Sequence, residues 1–169
     1  MKTAPPRTLG VLAHGYTLLP HPLLVAQLAT LADAADQEPA PPAAPGPNRK
    51  LLAHVHALMF DDIPQDPGAA RYRHGGAIPG GHRAWFRGKT GNGRYRLFYR
   101  YDSTARIIVN AWINDRESLR TYGSKTDAYR VFGDMLAAGN PPSDWDTLLA
   151  AATHEAAKAS RVFRRPPTP

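Results

Sequence analysis

The sequence predicts an α+β fold: an N-terminal helical hairpin packed on a small, twisted, mainly antiparallel sheet, with helices at the C-terminal end. Three observations predict it. Two apolar stripes at helical spacing lie between residues 22 and 60, separated by a proline-rich break. Three segments with two-residue alternation, separated by turn signals, fill residues 84–114. Helical spacing returns after residue 124 and again after residue 143.

Residues 8–19 hold the short apolar runs LGVLA and YTLLP, which fit an edge strand or a loop leading into the first helix. In LLVAQLATLADAAD, Leu24, Leu28, Leu31 and Ala35 form the stripe, and Pro22 sits in the first turn, where its missing N–H costs nothing. EPAPPAAPGP (38–47) ends that helix as an extended Pro/Ala loop. Asn48 is placed to cap RKLLAHVHALMF, whose stripe is Leu51, Val55, Leu58 and Met59. Residues 64–83, rich in Gly and Pro, read as a loop. AWFRGK (84–89), RYRLFYRY (94–101) and ARIIVNAWIN (105–114) read as strands, with Gly91-Asn92-Gly93 and Asp102-Ser103-Thr104 as the turns between them. Ser124 to Asp127 has the form of a capping box, with Asp127 as its third helical residue, ahead of a stripe of Tyr129, Phe132 and Leu136 that Gly139 stops. Ser143 is placed to cap a last helix in SDWDTLLAAATHEAAKA. Residues 1–160 thus form one domain, and 161–169 a basic, proline-rich tail.

In RYRLFYRY the odd positions are Tyr95, Leu97, Tyr99 and Tyr101; the even ones are Arg94, Arg96, Phe98 and Arg100. Side chains alternate across a strand, so one face packs on the hairpin and the other shows its arginines, Arg96 among them, to solvent.

The 169 residues include no cysteine, which removes disulfides, thiolate metal sites and thiol nucleophiles and fits a reducing cytoplasm. There is no apolar run of transmembrane length, and the start shows no signal-peptide pattern. Charge is unevenly spread. Residues 71–132 hold 13 Lys/Arg against 4 Asp/Glu, while residues 1–70 are net −2 and residues 133–169 are neutral. A basic field confined to one third of the chain points to a polyanion such as nucleic acid.

No metal, Walker, Rossmann, GxSxG or kinase motif is present, and His54 and His56 do not share a helix face. What remains is a set of Arg, Lys, Tyr and His: Arg87, Lys89, Arg96, Arg116, Arg120, Tyr122 and Lys125, with His74 and His82 in the preceding loop. That set suits RNA cleavage without a metal. The 2′-OH is the nucleophile; the protein must move two protons and neutralise charge on the phosphorus. Arginine forks match phosphate oxygens but make poor bases, so Lys, Tyr or His must handle the protons. Composition alone favours the plainer reading, a basic patch that binds nucleic acid without cutting it.

WFRGKTGNGRYRLFYRY, followed by INDRESLRTYGSKTDAYRVFGDML and PPSDWDTL, resembles the YhaV toxins of bacterial type II toxin–antitoxin systems, within the RelE/ParE superfamily. The resemblance runs from about Leu9 to Thr153, and the 38–47 loop departs from it. It implies a RelE-like fold and a metal-independent endoribonuclease without a cofactor that cleaves mRNA and halts growth. Ribosome dependence stays open. It implies catalytic roles for Arg87, Lys89, Arg96, Arg120 and Tyr122. RNA contacts are expected from Arg73, His74, Arg94, Arg100, Arg116 and Lys125. Asp127 and Tyr129, in KTDAY, are read as cap and core, and His74 as a proton carrier or a loop residue holding backbone. The implied partner is a PrlF-type antitoxin resembling AbrB-like DNA-binding proteins, through which alone operator DNA would be engaged. Two alternatives stand beside this: a ParE-like toxin that inhibits gyrase by binding, and a non-catalytic nucleic-acid-binding regulator.

Overall fold

The computed structural model describes residues 10–115 and 127–156. The N-terminal apolar runs form a hairpin, β1 (Val11–Ala13) and β2 (Tyr16–Pro20), that turns at His14-Gly15, both at positive φ. The chain then enters α1 (Pro22–Asp36) and α2 (Pro47–Ala57), with a π-turn over Leu58–Asp62 closing the second. β3 (Phe86–Thr90), β4 (Tyr95–Asp102) and β5 (Ile107–Ile113) follow, and then α3 (Ala128–Ala137) and α4 (Trp145–Ala156).

The five strands lie in the order β1-β2-β5-β4-β3. Neighbours are antiparallel except β2 and β5, which run parallel, with Leu18 opposite Ile108. The sheet is therefore mixed, and residues 8–19 add two strands to the meander. Gly91, Asn92 and Gly93 all take positive φ in the β3–β4 turn, which is why that turn needs residues without a steric penalty there.

The expected wet face is not there. α1 and α2 cover one side of the sheet over Leu18, Leu97, Tyr99, Ile108 and Ile113. α3 and α4 cover the other over Leu19, Phe98, Val109, Ala111 and Trp112. Phe132 of α3 stacks on Phe98 at 4.2 Å and on Trp112 at 5.6 Å, while Trp85 meets it edge-on at 5.0 Å. Both rings reach Phe132 because β5 bulges: Phe98 pairs with Trp112 and Tyr99 with Asn110, so Ala111 has no opposite residue. Arg96 lies beneath α3 and is 5% exposed, a correction to its expected place on an open face. The alternation was right; the C-terminal helices were not given a sheet face to cover.

Three caps also differ. Gly46, not Asn48, is the N-cap of α2. Its first amides are held by the Glu38 carboxylate across the Pro/Ala loop, which accepts from Asn48 N at 2.7 Å and Arg49 N at 3.1 Å. Asp127 is the N-cap of α3 itself, accepting from Tyr129 N, rather than the third helical residue. Asp144, not Ser143, caps α4, accepting from Thr147 N and Oγ1, and these bonds hold its carboxyl below the usual range. No helix among the described residues is long and apolar enough to cross a membrane.

Candidate functional site

β3 and β4 build the site. Lys89 lies directly opposite Arg96, and Arg87 opposite Phe98, so Arg87, Lys89 and Arg96 share the face toward α3. Between the two β3 cations, Gly88 turns to the other side, where an added Cβ would come within 2.8 Å of Leu58. The glycine lets the turn after α2 press on the strand and fixes the height of its neighbours. Lys89 is exposed; Arg87 and Arg96 are buried.

The Tyr129 hydroxyl joins the two arginines. It accepts from Arg87 Nε at 2.7 Å and from Arg96 Nε at 3.0 Å, and the Arg96 guanidinium lies 5.4 Å from the Tyr129 ring centroid. Arg87 Nη1 donates to the Arg71 carbonyl at 2.7 Å, and Arg96 Nη1 donates to the Gly93 carbonyl. The Arg96 amide donates to Asn114 Oδ1 at 2.6 Å, and Asn114 Nδ2 donates to the Arg94 carbonyl at 3.1 Å. Asn114 thus ties the end of β5 to the start of β4, where the ladder stops.

Every partner of these two guanidinium groups among the described residues is a neutral oxygen. Buried charges are ordinarily paired, because desolvation costs several kcal/mol per ion and a counter-ion offsets it. Here two like charges converge on one phenol oxygen, and among the described residues each guanidinium donates two of its five N–H groups. Such a site is short of an anion, and a bidentate oxyanion is the ligand its geometry fits best.

The remaining expected residues fall into three groups. Arg73 and Arg94 are exposed and sit at the same edge: Arg73 bridges Phe86 on β3, and Arg94 opens β4. Arg100 is half-buried four residues along β4, donating to the Ser143 carbonyl, and belongs to a separate cleft. Arg116, Arg120, Tyr122 and Lys125 lie outside the described residues. His74 is 8% exposed with both ring nitrogens engaged by its own loop: Nε2 meets the His82 carbonyl at 3.0 Å, and Nδ1 accepts from Gly76 N at 3.2 Å and Ile78 N at 3.4 Å. With both nitrogens bonded within residues 74–82, the ring holds that loop closed; of its two expected roles, this geometry is that of the loop residue. Among the described residues no three His, Cys, Asp or Glu side chains gather closely enough to hold a metal ion.

Sequence reasoning missed the anchoring roles of Tyr129 and Asn114. A tyrosine in an apolar stripe where phenylalanine would pack as well was one signal, and an asparagine directly after a strand whose one other polar residue is Asn110 was the other.

A buried arginine pair and an exposed lysine at one edge of a small α+β sheet form an arrangement whose chemistry suits a phosphate-like anion. Comparison makes the class specific. A family model described as a toxin with endonuclease activity, of a toxin–antitoxin system, matches residues 18–153, and the chain belongs to this family, the YhaV toxins. The chain is 49% identical over 100 residues to ribonuclease toxin YhaV of Escherichia coli (strain K12), an alignment taking in 59% of this chain and 65% of that protein. Toxin YhaV of Escherichia coli O157:H7 matches equally, and that of Escherichia coli O6:H1 (strain CFT073) is 48% identical over 100 residues. The chain thus spans 65% of the length of these relatives. No solved structure matches it.

Proposed function

We propose that the protein is an endoribonuclease toxin that cleaves mRNA by attack of the 2′-oxygen and is held in check by a cognate antitoxin. The observation that carries the reading is the pair Arg87 and Arg96, buried together on neutral acceptors beside Lys89. Family membership adds the nuclease and toxin assignments, and the E. coli relative named a ribonuclease adds RNA as the substrate. The RelE-like arrangement and a PrlF-type antitoxin belong to the same reading, resting on the sequence resemblance.

The chemistry balances without a cofactor. The 2′-oxygen forms a bond to phosphorus, the P–O5′ bond breaks, and a 2′,3′-cyclic phosphate and a 5′-hydroxyl result. One proton leaves the 2′-OH and one reaches the 5′-oxygen. We assign Arg87 and Arg96 to the non-bridging phosphate oxygens, where their fixed forks neutralise charge as it builds. Lys89 and, from the sequence pattern, Tyr122 are assigned to the two proton transfers, with Arg120 supporting the phosphate. Because Tyr129 already orients both guanidinium groups, little reorganisation is left for the reaction itself.

Incubation of the purified chain with RNA in EDTA tests this. Cleavage is expected to persist, with 2′,3′-cyclic or 3′-phosphate ends on the upstream fragments. Activity that returned only with added Mg²⁺ or Mn²⁺, or 3′-hydroxyl products, would sink the mechanism.

A further inference from the structure

β4 outruns its neighbour. β3 begins at Phe86, opposite Tyr99, and Arg100, Tyr101 and Asp102 continue past that point. The step leaves an open cleft of about 360 Å³ walled by Phe86, Tyr101 and Trp145, with Arg100, Asp102 and Ser103 between them.

Three features of the cleft point to one ligand chemistry. First, Arg100 is half-buried, gives one N–H to the Ser143 carbonyl and lies 5.6 Å from the Trp145 ring centroid. Its Nε is buried without a partner and no carboxylate hydrogen-bonds it among the described residues; burial pulls its pKa down, partly offset by the nearby but exposed Asp144 carboxylate. A cation held this way, with most of its donors unused, suits a phosphate or the acceptor edge of a base. Second, the walls are aromatic and braced. Phe86 and Tyr101 meet edge-on at 5.2 Å. Trp145 keeps part of its ring open, whereas Trp85 and Trp112 are 1% and 7% exposed. Third, Arg96 and Arg100 lie on one face of β4 four residues apart, roughly 13 Å along the strand at the usual rise.

We propose that this cleft is a nucleotide subsite, taking one unpaired base of the same RNA strand whose phosphate engages Arg87, Lys89 and Arg96, with the base stacked on Trp145 and Arg100 on its edge or its phosphate. The inference rests on the ribonuclease reading and adds to it a determinant of which RNA is cut. A base must be free of its own pairing to stack on a side chain, so the site takes single strands and not duplexes.

The test is tryptophan emission of the full chain titrated with a single-stranded 2′-O-methyl oligonucleotide, which has no free 2′-OH to attack. Binding is followed separately by anisotropy. Quenching is expected with the single strand and not with a duplex. It should vanish in Trp145→Phe and persist in Lys50→Gln, whose side chain is exposed on α2, and the affinity should fall about tenfold in Arg100→Gln. If Arg100→Gln proves less stable, acrylamide access to Trp145 in the unmodified chain decides: protection by the oligonucleotide supports the subsite and unchanged access overturns it. Binding without any change in Trp145 emission overturns the subsite and leaves the ribonuclease reading standing. Quenching retained without RNA cleavage supports the subsite and overturns that reading. A response of Trp145 only to an acidic antitoxin segment assigns the cleft to a protein partner and overturns the proposal.

Discussion

Tyr129 shows how one atom decides whether two charges can be buried together. Its ring belongs to the core, edge-on to Phe98 at 5.8 Å, while its oxygen accepts from both Arg87 and Arg96. Removing that oxygen leaves two charged N–H groups without an acceptor in a place water does not reach freely, a loss of about 1–3 kcal/mol. Tyr129→Phe is therefore expected to lower the free energy of urea unfolding by that amount, with a lower midpoint, and to reduce single-turnover cleavage, because the guanidinium groups lose their common anchor. A Phe variant as stable and as active as the parent would remove the hydroxyl from the account. By the same reasoning, truncating Arg96 is no longer a surface change: it opens a buried volume under α3, so a loss of toxicity in Arg96→Ala has to be read beside its stability. Much of this site was legible in the chain. Arg87, Lys89 and Arg96 stand out because strand alternation brings two-residue neighbours to one face, and the cross-strand register does the rest. Their burial was not legible, since it depends on a helix more than thirty positions away, and local spacing carries no information about that contact.

At the scale of elements, the central strand β5 outruns its neighbour β2, and a side chain completes the pairing. β2 pairs with β5 only as far as Pro20 opposite Asn110, yet β5 continues to Ile113. Gln27 of α1 supplies the missing partner, its Nε2 donating to the Ile113 carbonyl and its Oε1 accepting from the Ile113 amide at 3.1 Å. Gln27→Leu keeps the bulk and deletes both bonds, and it should cost about 1–3 kcal/mol in thermal or urea unfolding; an unchanged midpoint would mean that water replaces the amide without loss. The start of the same helix sets a pH dependence. His21 is the N-cap of α1, with Nδ1 accepting from Leu23 N, and burial pushes its pKa down to about 4. An unfolded imidazole titrates near 6.5, so between those values the unfolded chain binds a proton that the native chain refuses. Stability is then full above pH 6.5 and falls as the pH drops toward 4, by on the order of 2 kcal/mol. His56, lowered by burial too, acts in the same direction. His21→Asn retains a capping side chain and loses the titration, so its urea midpoints at pH 7 and pH 5 should lie closer together than the parent's. An identical gap would place the dependence elsewhere. α1 to α4 and β3 to β5 were readable from period and turn chemistry, whereas residues 8–19 fitted an edge strand or a loop rather than the hairpin they form, and the parallel β2–β5 pairing was not readable: residues 16–20 and 107–110 are about ninety positions apart, and nothing local specifies that they meet.

For the whole molecule, the distribution of charge matters more than its total. The chain is net +7, and the excess lies in residues 71–132. The fold gathers part of that excess at one sheet edge. Arg73, Lys89 and Arg94 are exposed on or beside β3 and its turn, while Arg87 and Arg96 sit just behind them. The opposite side of the sheet is covered by α1 and α2, where Lys50 is exposed on α2. An RNA strand tracking the β3 edge displaces counter-ions there and not from α2, so the two lysines should differ in what they contribute to salt dependence. For single strands, log K falls with log salt by about 0.7 per phosphate neutralised. Lys89→Gln is expected to lower RNA affinity and to flatten that slope by close to one contact's worth. Lys50→Gln removes the same charge from the same chain and is expected to change both far less, because α2 lies over the other face of the sheet. Both side chains are exposed, so neither substitution opens a core cavity, and anisotropy titrations at several salt concentrations compare them directly. Equal effects from the two would mean that RNA responds only to net charge, and the β3 edge would lose its standing as the binding surface. A reduced slope in Lys89→Gln alone would fix the strand's path along β3, beside the buried arginine pair.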